Sequence, residues 1–262
     1  MCKTLSFLFL SIIALSCKNG KPSENQRDNV PLVFEERIFN MESSTCKTDS
    51  TRCASVEITY PVATQGNPEA MSAINDTIMK YIRQSVGIFA ESPEDVPASL
   101  EDAAAGFIGE YEAFMASEPE FVTSWAIETN GKMLYQSPKV VSIEIATYSY
   151  AGGAHPNTYV SLLNFDATTG TKFDLSDLVT DINKLTALAE SKFREARELS
   201  STADLSEEGY FWGEGFALPA NVAVTNEGLY FYYNPYEAAA YALGPTDFVI
   251  SYEELKGIWK ER

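Results

Sequence analysis

Ile74, Ile78, Ile82 and Val86 recur at every fourth position, shortly after the start signal Asn67-Pro68-Glu69. Branched apolar residues at that interval share one side of an α-helix, and the chain must bury that side. Asn67 supplies a side-chain cap, and Pro68 takes the first helical position, where a missing N–H costs nothing. A second helix is expected from Ser99, paired with Asp102 in a capping-box-like way; Ala103, Phe107, Tyr111, Phe114 and Met115 form its buried face. From Glu120 the period changes to two. "FVTSWAIETNGKMLY", with a turn signal at Asn130-Gly131, "KVVSIEIATYSY" and "TYVSLLNF" read as strands. Upstream, "VPLVFEERIF" reads as a first strand and "ASVEITYPVA" as a second, which Pro61 restricts to an edge or an end.

Downstream, "DATTGTKFDL" turns into a short strand. "SDLVTDINKLTALAESKFREAREL" reads as one helix with the stripe Leu185, Leu188, Phe193 and Ala196. "NVAVTNEGLYFYYNPY" is a hairpin turning at Asn226-Glu227-Gly228, and "DFVISYEELKGIW" is a strand running into a short helix. Helices and strands arrive in blocks, so the expected class is α+β, with a mainly antiparallel sheet and packed helices.

The N-terminus bears on location. After Lys3, Leu5 to Leu15 form an apolar run of eleven residues, too short to span a bilayer but suited to the core of a secretory signal. "ALSC", ending at Cys17, resembles a bacterial lipobox. That resemblance implies cleavage after residue 16 and lipidation of Cys17, with several acyl chains anchoring durably at about 0.8 kcal/mol per buried methylene. The alternative is an ordinary signal peptide with an accidental cysteine. Residues 17–29 then form a lipidated cysteine and flexible tether without aliphatic or aromatic side chains. Lys18, where Asp would otherwise signal retention, points to the outer membrane on its periplasmic side in a cell with two membranes.

Loss of Lys3 with the signal takes the formal charge from -18 to -19. Nucleic acid needs a basic footprint and is excluded as a partner, whereas a cationic protein would be attracted. Cys46 and Cys53 remain after Cys2 leaves and Cys17 is lipidated. In an oxidising envelope that even pair reads as a disulfide, worth about 2–3 kcal/mol by loop-closure entropy. With one histidine and no CxxC, neither metal nor cofactor is expected.

A catalytic reading has little to stand on. The lone histidine, His155, rules out His-pair metal motifs, and Gly-x-Ser-x-Gly and P-loop spacings are missing. His155, oriented by Asp166 or by an acid brought in by folding, is the remaining acid–base candidate. The acid pairs Glu110/Glu112 and Glu207/Glu208 read as solvated faces rather than a glycosidase dyad. The chain is therefore taken as a non-enzyme. More informative is "GLYFYYNPYEAAAYALGP", with Tyr230, Phe231, Tyr232, Tyr233, Tyr236 and Tyr241. Strand alternation buries about half of the hairpin rings, while Tyr236 and Tyr241 fall in Gly/Pro-bounded segments where exposed rings suit recognition.

"YSYAGGAHPNTYVSLLNFDATTGTKFDLSDLV" and "FALPANVAVTNEGLYFYYNPYEAAAYALGPTDFVISYEEL" resemble domain-of-unknown-function family 3298, with its Gly-Gly-Ala-His loop, Asn-Phe-Asp, Thr-Gly turn and Asn-Pro-Tyr-Glu segment. "ASVEITYPVATQGNPEAMSAINDTIMKYI" resembles the companion family 4163. The division is then 30–119 for the 4163-like region and 120–262 for the 3298-like region. This pair of regions forms the extracellular module of RsiV-type lysozyme-sensing anti-sigma factors and PdaC-type deacetylases. The resemblance implies a lipid-anchored envelope binding module for lysozyme or peptidoglycan fragments, without the sigma-binding or deacetylase parts; a structural envelope lipoprotein and an unrecognised cell-wall hydrolase are the alternatives. Pro156 and Ala239-Ala240 depart from the family pattern.

The expected ligand face comprises Gly152, Gly153 and His155 from one loop and Pro235, Tyr236 and Tyr241 from the other, side by side. The glycines let the chain turn sharply. His155 is read as pinning this loop by a hydrogen bond against the Asn-Pro-Tyr segment; a ligand contact and a catalytic base are the alternatives.

Overall fold

The computed structural model describes residues 31–92 and 94–260. The expected signal, Cys17 and the tether lie outside the described residues. The chain runs β1 (Val33–Glu42), β2 (Ala54–Gln65), α1 (Pro68–Val86), α2 (Leu100–Ser117), β3 (Trp125–Gln136), β4 (Val140–Tyr150), β5 (Asn157–Asp166), α3 (Leu175–Leu178), α4 (Ile182–Ala196), β6 (Asn221–Val224), β7 (Gly228–Tyr233) and β8 (Thr246–Ser251). Strands β1-β2-β3-β4-β5 form one sheet and β6-β7-β8 a second. β2 pairs with β3 in parallel, because α1 and α2 form the crossover between them; the other ladders are antiparallel. The fold is α+β.

Asn67 caps α1 by accepting from the N–H groups of Glu69 and Ala70, and Ser99 caps α2 by accepting from Asp102 N–H. The stripe Ile74, Ile78, Ile82 and Val86 packs on Val56, Ile58, Ile127, Ile143 and Ile145 of the first sheet. The Cys46–Cys53 disulfide closes the β1–β2 connection, where buried Ser43 accepts from Ala54 N–H through its hydroxyl at 3.0 Å.

Five sequence expectations change. Asn130-Gly131 makes no turn: β3 runs straight through it, because a glycine is needed where β2 crowds in. A Cβ at Gly131 would lie 3.0 Å from Pro61 Cδ and 3.2 Å from Tyr60 Cα. Pro61 itself sits beyond the end of the β2–β3 ladder, which stops at Thr59 and Asn130. The long helix is broken, since extended Val179 bridges to Trp259 and Thr180 donates to Ile258 O at 2.7 Å; Asp181 then caps α4 afresh. On α4, Ala189 is buried while Ala196 is exposed. The strand expected after Asp166 shrinks to one bridge, Phe165 to Lys172, and the final helix is a series of turns.

Buried asparagines join the two sheets along the free edge of β5. Asn234 accepts from Val160 N–H at 2.7 Å and donates to Val160 O at 2.9 Å, so its amide replaces a missing strand. Asn221 Oδ1 accepts from Leu162 N–H at 2.9 Å. Asn164 donates to Val222 O at 2.7 Å and accepts from Val224 N–H and the Ser142 hydroxyl at 2.8 Å each. The Asn-Phe-Asp and Asn-Pro-Tyr-Glu segments thus owe their asparagines to this seam, which places the β4–β5 hairpin tip beside the segment after β7.

Candidate functional site

The tip of the β4–β5 hairpin is bent by Gly152 and Gly153, at φ 78° and 98°, in the left-handed region that glycine enters without penalty. Gly152 rests on the indole of buried Trp125: a Cβ there would lie 3.4 Å from Nε1. Trp125 packs in turn among Phe107, Tyr111 and Phe114, so the first core supports the loop. The Tyr150 hydroxyl donates to Gly153 O at 3.2 Å. His155 is exposed, and its Nδ1 lies 2.9 Å from Pro156 O, which accepts from an Nδ1–H tautomer.

The second segment leaves β7 at Tyr233. Glu237 turns back, accepting from Asn234 N–H at 2.9 Å and Ala220 N–H at 2.7 Å. Within that turn, half-buried Pro235 precedes Tyr236, a non-glycine residue held at φ 67° with its side chain 55% exposed. Left-handed backbone in an aromatic residue is strained and persists only where neighbours hold it. The two segments meet directly. The His155 ring stacks on Tyr241, with centroids 3.9 Å apart and planes 17° apart, and Tyr236 follows at 5.8 Å from Tyr241. The Tyr241 hydroxyl donates to Pro156 O at 3.0 Å. The cross-segment hydrogen bond therefore belongs to Tyr241, and His155 contributes a stacked ring; its own bond stays within the loop.

The acid–base pair does not form. Asp166 lies at the far end of β5 and accepts from Thr168 and Thr169 N–H, so it cannot orient His155. The paired acids Glu110/Glu112 and Glu207/Glu208 are exposed.

The same hairpin has a second feature that sequence reading missed. Core-facing positions of β4 run Val141, Ile143, Ile145, and then Thr147 and Ser149; on β5, Phe165 and Leu163 give way to Ser161, Tyr159 and Asn157. Past the end of the aliphatic core this face becomes polar and floors a groove of about 470 Å³. Its opposite wall is the C-terminal turn of α1 and the following loop, including Tyr81, Gln84, Ile88 and Val96. Arg83 fixes that wall by donating to the carbonyls of Pro97 and Ala98. Tyr159 joins groove to tip: burial raises its phenol pKa, as do the nearby Glu237 carboxylate and Tyr81. The signal was the switch from apolar to hydroxyl residues within an unbroken period of two.

Residues 176–253 match the family described as protein of unknown function DUF3298, and residues 47–158 match the one described as deacetylase PdaC. A curated relative, the peptidoglycan-N-acetylmuramic acid deacetylase PdaC of Bacillus subtilis (strain 168), is 23% identical over 204 residues, 75% of this chain. The chain covers 43% of that relative, less than half its length. The structure of a DUF3298 family member from Bacteroides fragilis NCTC 9343 superposes with a TM-score of 0.71 at 19% identity, over 89% of this chain and 96% of the other. A DUF3298 family protein from Pseudomonas aeruginosa PAO1 gives 0.61 at 20% identity, over 88% and 96%. A DUF3298-type segment at 176–253 thus follows a PdaC-type segment at 47–158, each covering less than half of the chain.

Proposed function

We propose that the protein is an envelope binding module, anchored through lipid at Cys17, that recognises a lysozyme-like basic protein or peptidoglycan glycan through the hairpin tip and the Tyr236 segment. The observation that carries this reading is the row His155–Tyr241–Tyr236, built from two distant segments and ending in an exposed ring on strained backbone. Rigid tyrosines that lose little entropy on contact suit such a face. A formal charge of -18 over the full sequence, -19 once Lys3 leaves with the signal, favours a basic partner, and the peptidoglycan deacetylase among the relatives points to the cell envelope. The resemblance of the Gly-Gly-Ala-His and Asn-Pro-Tyr-Glu segments to the lysozyme-sensing module supports lysozyme as the first partner to try. The module is read as a binder rather than a catalyst because its one histidine is committed to a stack and bonds to no acid among the described residues.

Binding kinetics against lysozymes and muropeptides, at two salt concentrations, test it. Tyr236→Ala is expected to speed dissociation by about tenfold or more, as a hot-spot truncation does, while the association rate falls with salt in both proteins. His155→Ala should weaken binding less, by loosening the loop. A folded Tyr236→Ala protein that binds as tightly as wild type would move the site elsewhere, and no binding at all would favour a structural envelope lipoprotein.

A further inference from the structure

The geometry points to the groove between α1 and the β4–β5 hairpin as a binding site for a neutral oligosaccharide of one or two rings. Ser149 and Ser161 are 92% and 93% buried by their relative exposures of 8% and 7%, and both line the groove. Neither hydroxyl has a hydrogen-bond partner among the described residues, whereas Thr147 between them is bonded to Thr129 at 3.0 Å. Among the described residues the fully buried side-chain atoms without a partner are Arg83 Nε and Trp125 Nε1, and neither residue lines the groove. Two unpartnered hydroxyls opening on this one groove call for a ligand that both donates and accepts. Sugar hydroxyls do both.

The walls agree. Tyr81 and Tyr159 contribute aromatic rings and Ile88 an apolar side chain, the kind of surface against which the C–H faces of a pyranose pack, with Lys172 over one side of the Tyr81 ring at 5.9 Å. About 470 Å³ lies within the range of roughly 300–1,000 Å³ usual for small-ligand sites. Among the described residues no lysine, arginine or histidine lines the groove and Glu91 does; Lys172, beside it, is engaged with the Tyr81 hydroxyl at 3.4 Å, so phosphate and carboxylate ligands are disfavoured. A neutral sugar is what remains.

This assignment borrows only its choice of glycan over other neutral ligands from the envelope reading above, and its test is separate. The protein is titrated calorimetrically with the β-1,4-linked tetramer of N-acetylglucosamine, with cellotetraose, and with a hyaluronan tetrasaccharide as the anionic counterpart. The neutral tetramers are expected to bind and the anionic one to bind more weakly. Ser149→Ala and Ser161→Ala should each weaken binding by about threefold to tenfold, the effect of deleting one ligand hydrogen bond. Because no protein partner is lost, both variants should melt at or above the wild-type temperature, which a structural role for these hydroxyls would not allow. Tyr236→Ala should leave sugar binding unchanged, so loss of the tip reading and loss of the groove reading are told apart. The proposal is overturned if no tetramer binds at millimolar concentration, if the serine variants bind as wild type, or if they melt lower.

Discussion

The two sheets solve burial differently. The first is covered by two capped helices, and its core is mostly aliphatic: Ile74, Ile78 and Ile82 face Val56, Ile58 and Ile127. The second has one long helix, α4, and a core of rings. Phe193 lies 5.1 Å from both Tyr210 and Phe211, 5.3 Å from Tyr233 and 5.8 Å from Phe216. Tyr210, Phe211 and Phe216 come from the irregular segment between α4 and β6. Aliphatic side chains on regular elements fill space by repetition, whereas a loop-built core needs a few large rings with fixed edge-to-face geometry. The second region should therefore depend more heavily on single residues.

Truncation within each core tests that contrast. Phe193→Ala removes the ring on which four others converge and should destabilise by about 3–5 kcal/mol. Ile78→Ala, also fully buried, should cost less, toward the lower end of the roughly 2–5 kcal/mol range for aliphatic truncation. Chemical denaturation followed by circular dichroism measures both. Equal losses, or a greater loss for Ile78→Ala, would mean that the loop-built core is no more dependent on one residue than the helix-covered one.

The seam decides whether the regions unfold together. Asn164→Ala leaves Val222 O and Val224 N–H without partners at a buried site, at about 1–3 kcal/mol for each group. The expected total is about 2–6 kcal/mol, and a transition expected to be single in the wild type should split into two as the sheets lose their coupling. A lowered but still single transition would show that apolar contact, through residues such as Val140 of β4 in the second core, couples the regions without the asparagine.

The same contrast explains what was legible in the sequence. Both helix caps, the isoleucine stripe, the β6–β7 turn and the disulfide depend on neighbours within a few positions, and each was readable. Gly131 misled because its reason, the approach of Pro61, lies on another strand. The break before α4 was hidden because Val179 is held extended by Trp259, eighty residues on in the chain. The glycine loop and the Asn-Pro-Tyr-Glu segment could be singled out as unusual. That His155 would stack on Tyr241 rather than bond across the segments is a matter of side-chain placement, which no local pattern carries.

The smallest expected effect concerns how the second region ties its long helix, α4, to its sheet. Glu254, just after β8, accepts from the Ser251 hydroxyl at 2.7 Å and Ser251 N–H at 2.9 Å, and its other oxygen meets Lys192 of α4 at 2.9 Å. These hydrogen bonds, the serine hydroxyl first and then the lysine, lower its pKa from the ordinary 4.5 to about 2. A carboxyl lowered by folding adds stability that is fully present above its unfolded pKa and is lost as pH falls from about 4.5 toward about 2. Lys192 is shifted in the opposite sense, upward, so its part is not lost until the solution is strongly alkaline. The glutamate side chain is 36% exposed and screened by water, which holds the expected loss in Glu254→Gln to about 1 kcal/mol or less at neutral pH. Thermal melts of wild type and variant across the acid range should converge as pH falls, because protonation removes in the wild type what the substitution has already removed. A difference that stayed constant down to pH 2 would assign the effect of Glu254→Gln to packing, and would leave the aromatic core and the Arg197 hydrogen bonds to Leu243, Gly244, Pro245 and Thr246 to hold α4 on the second sheet.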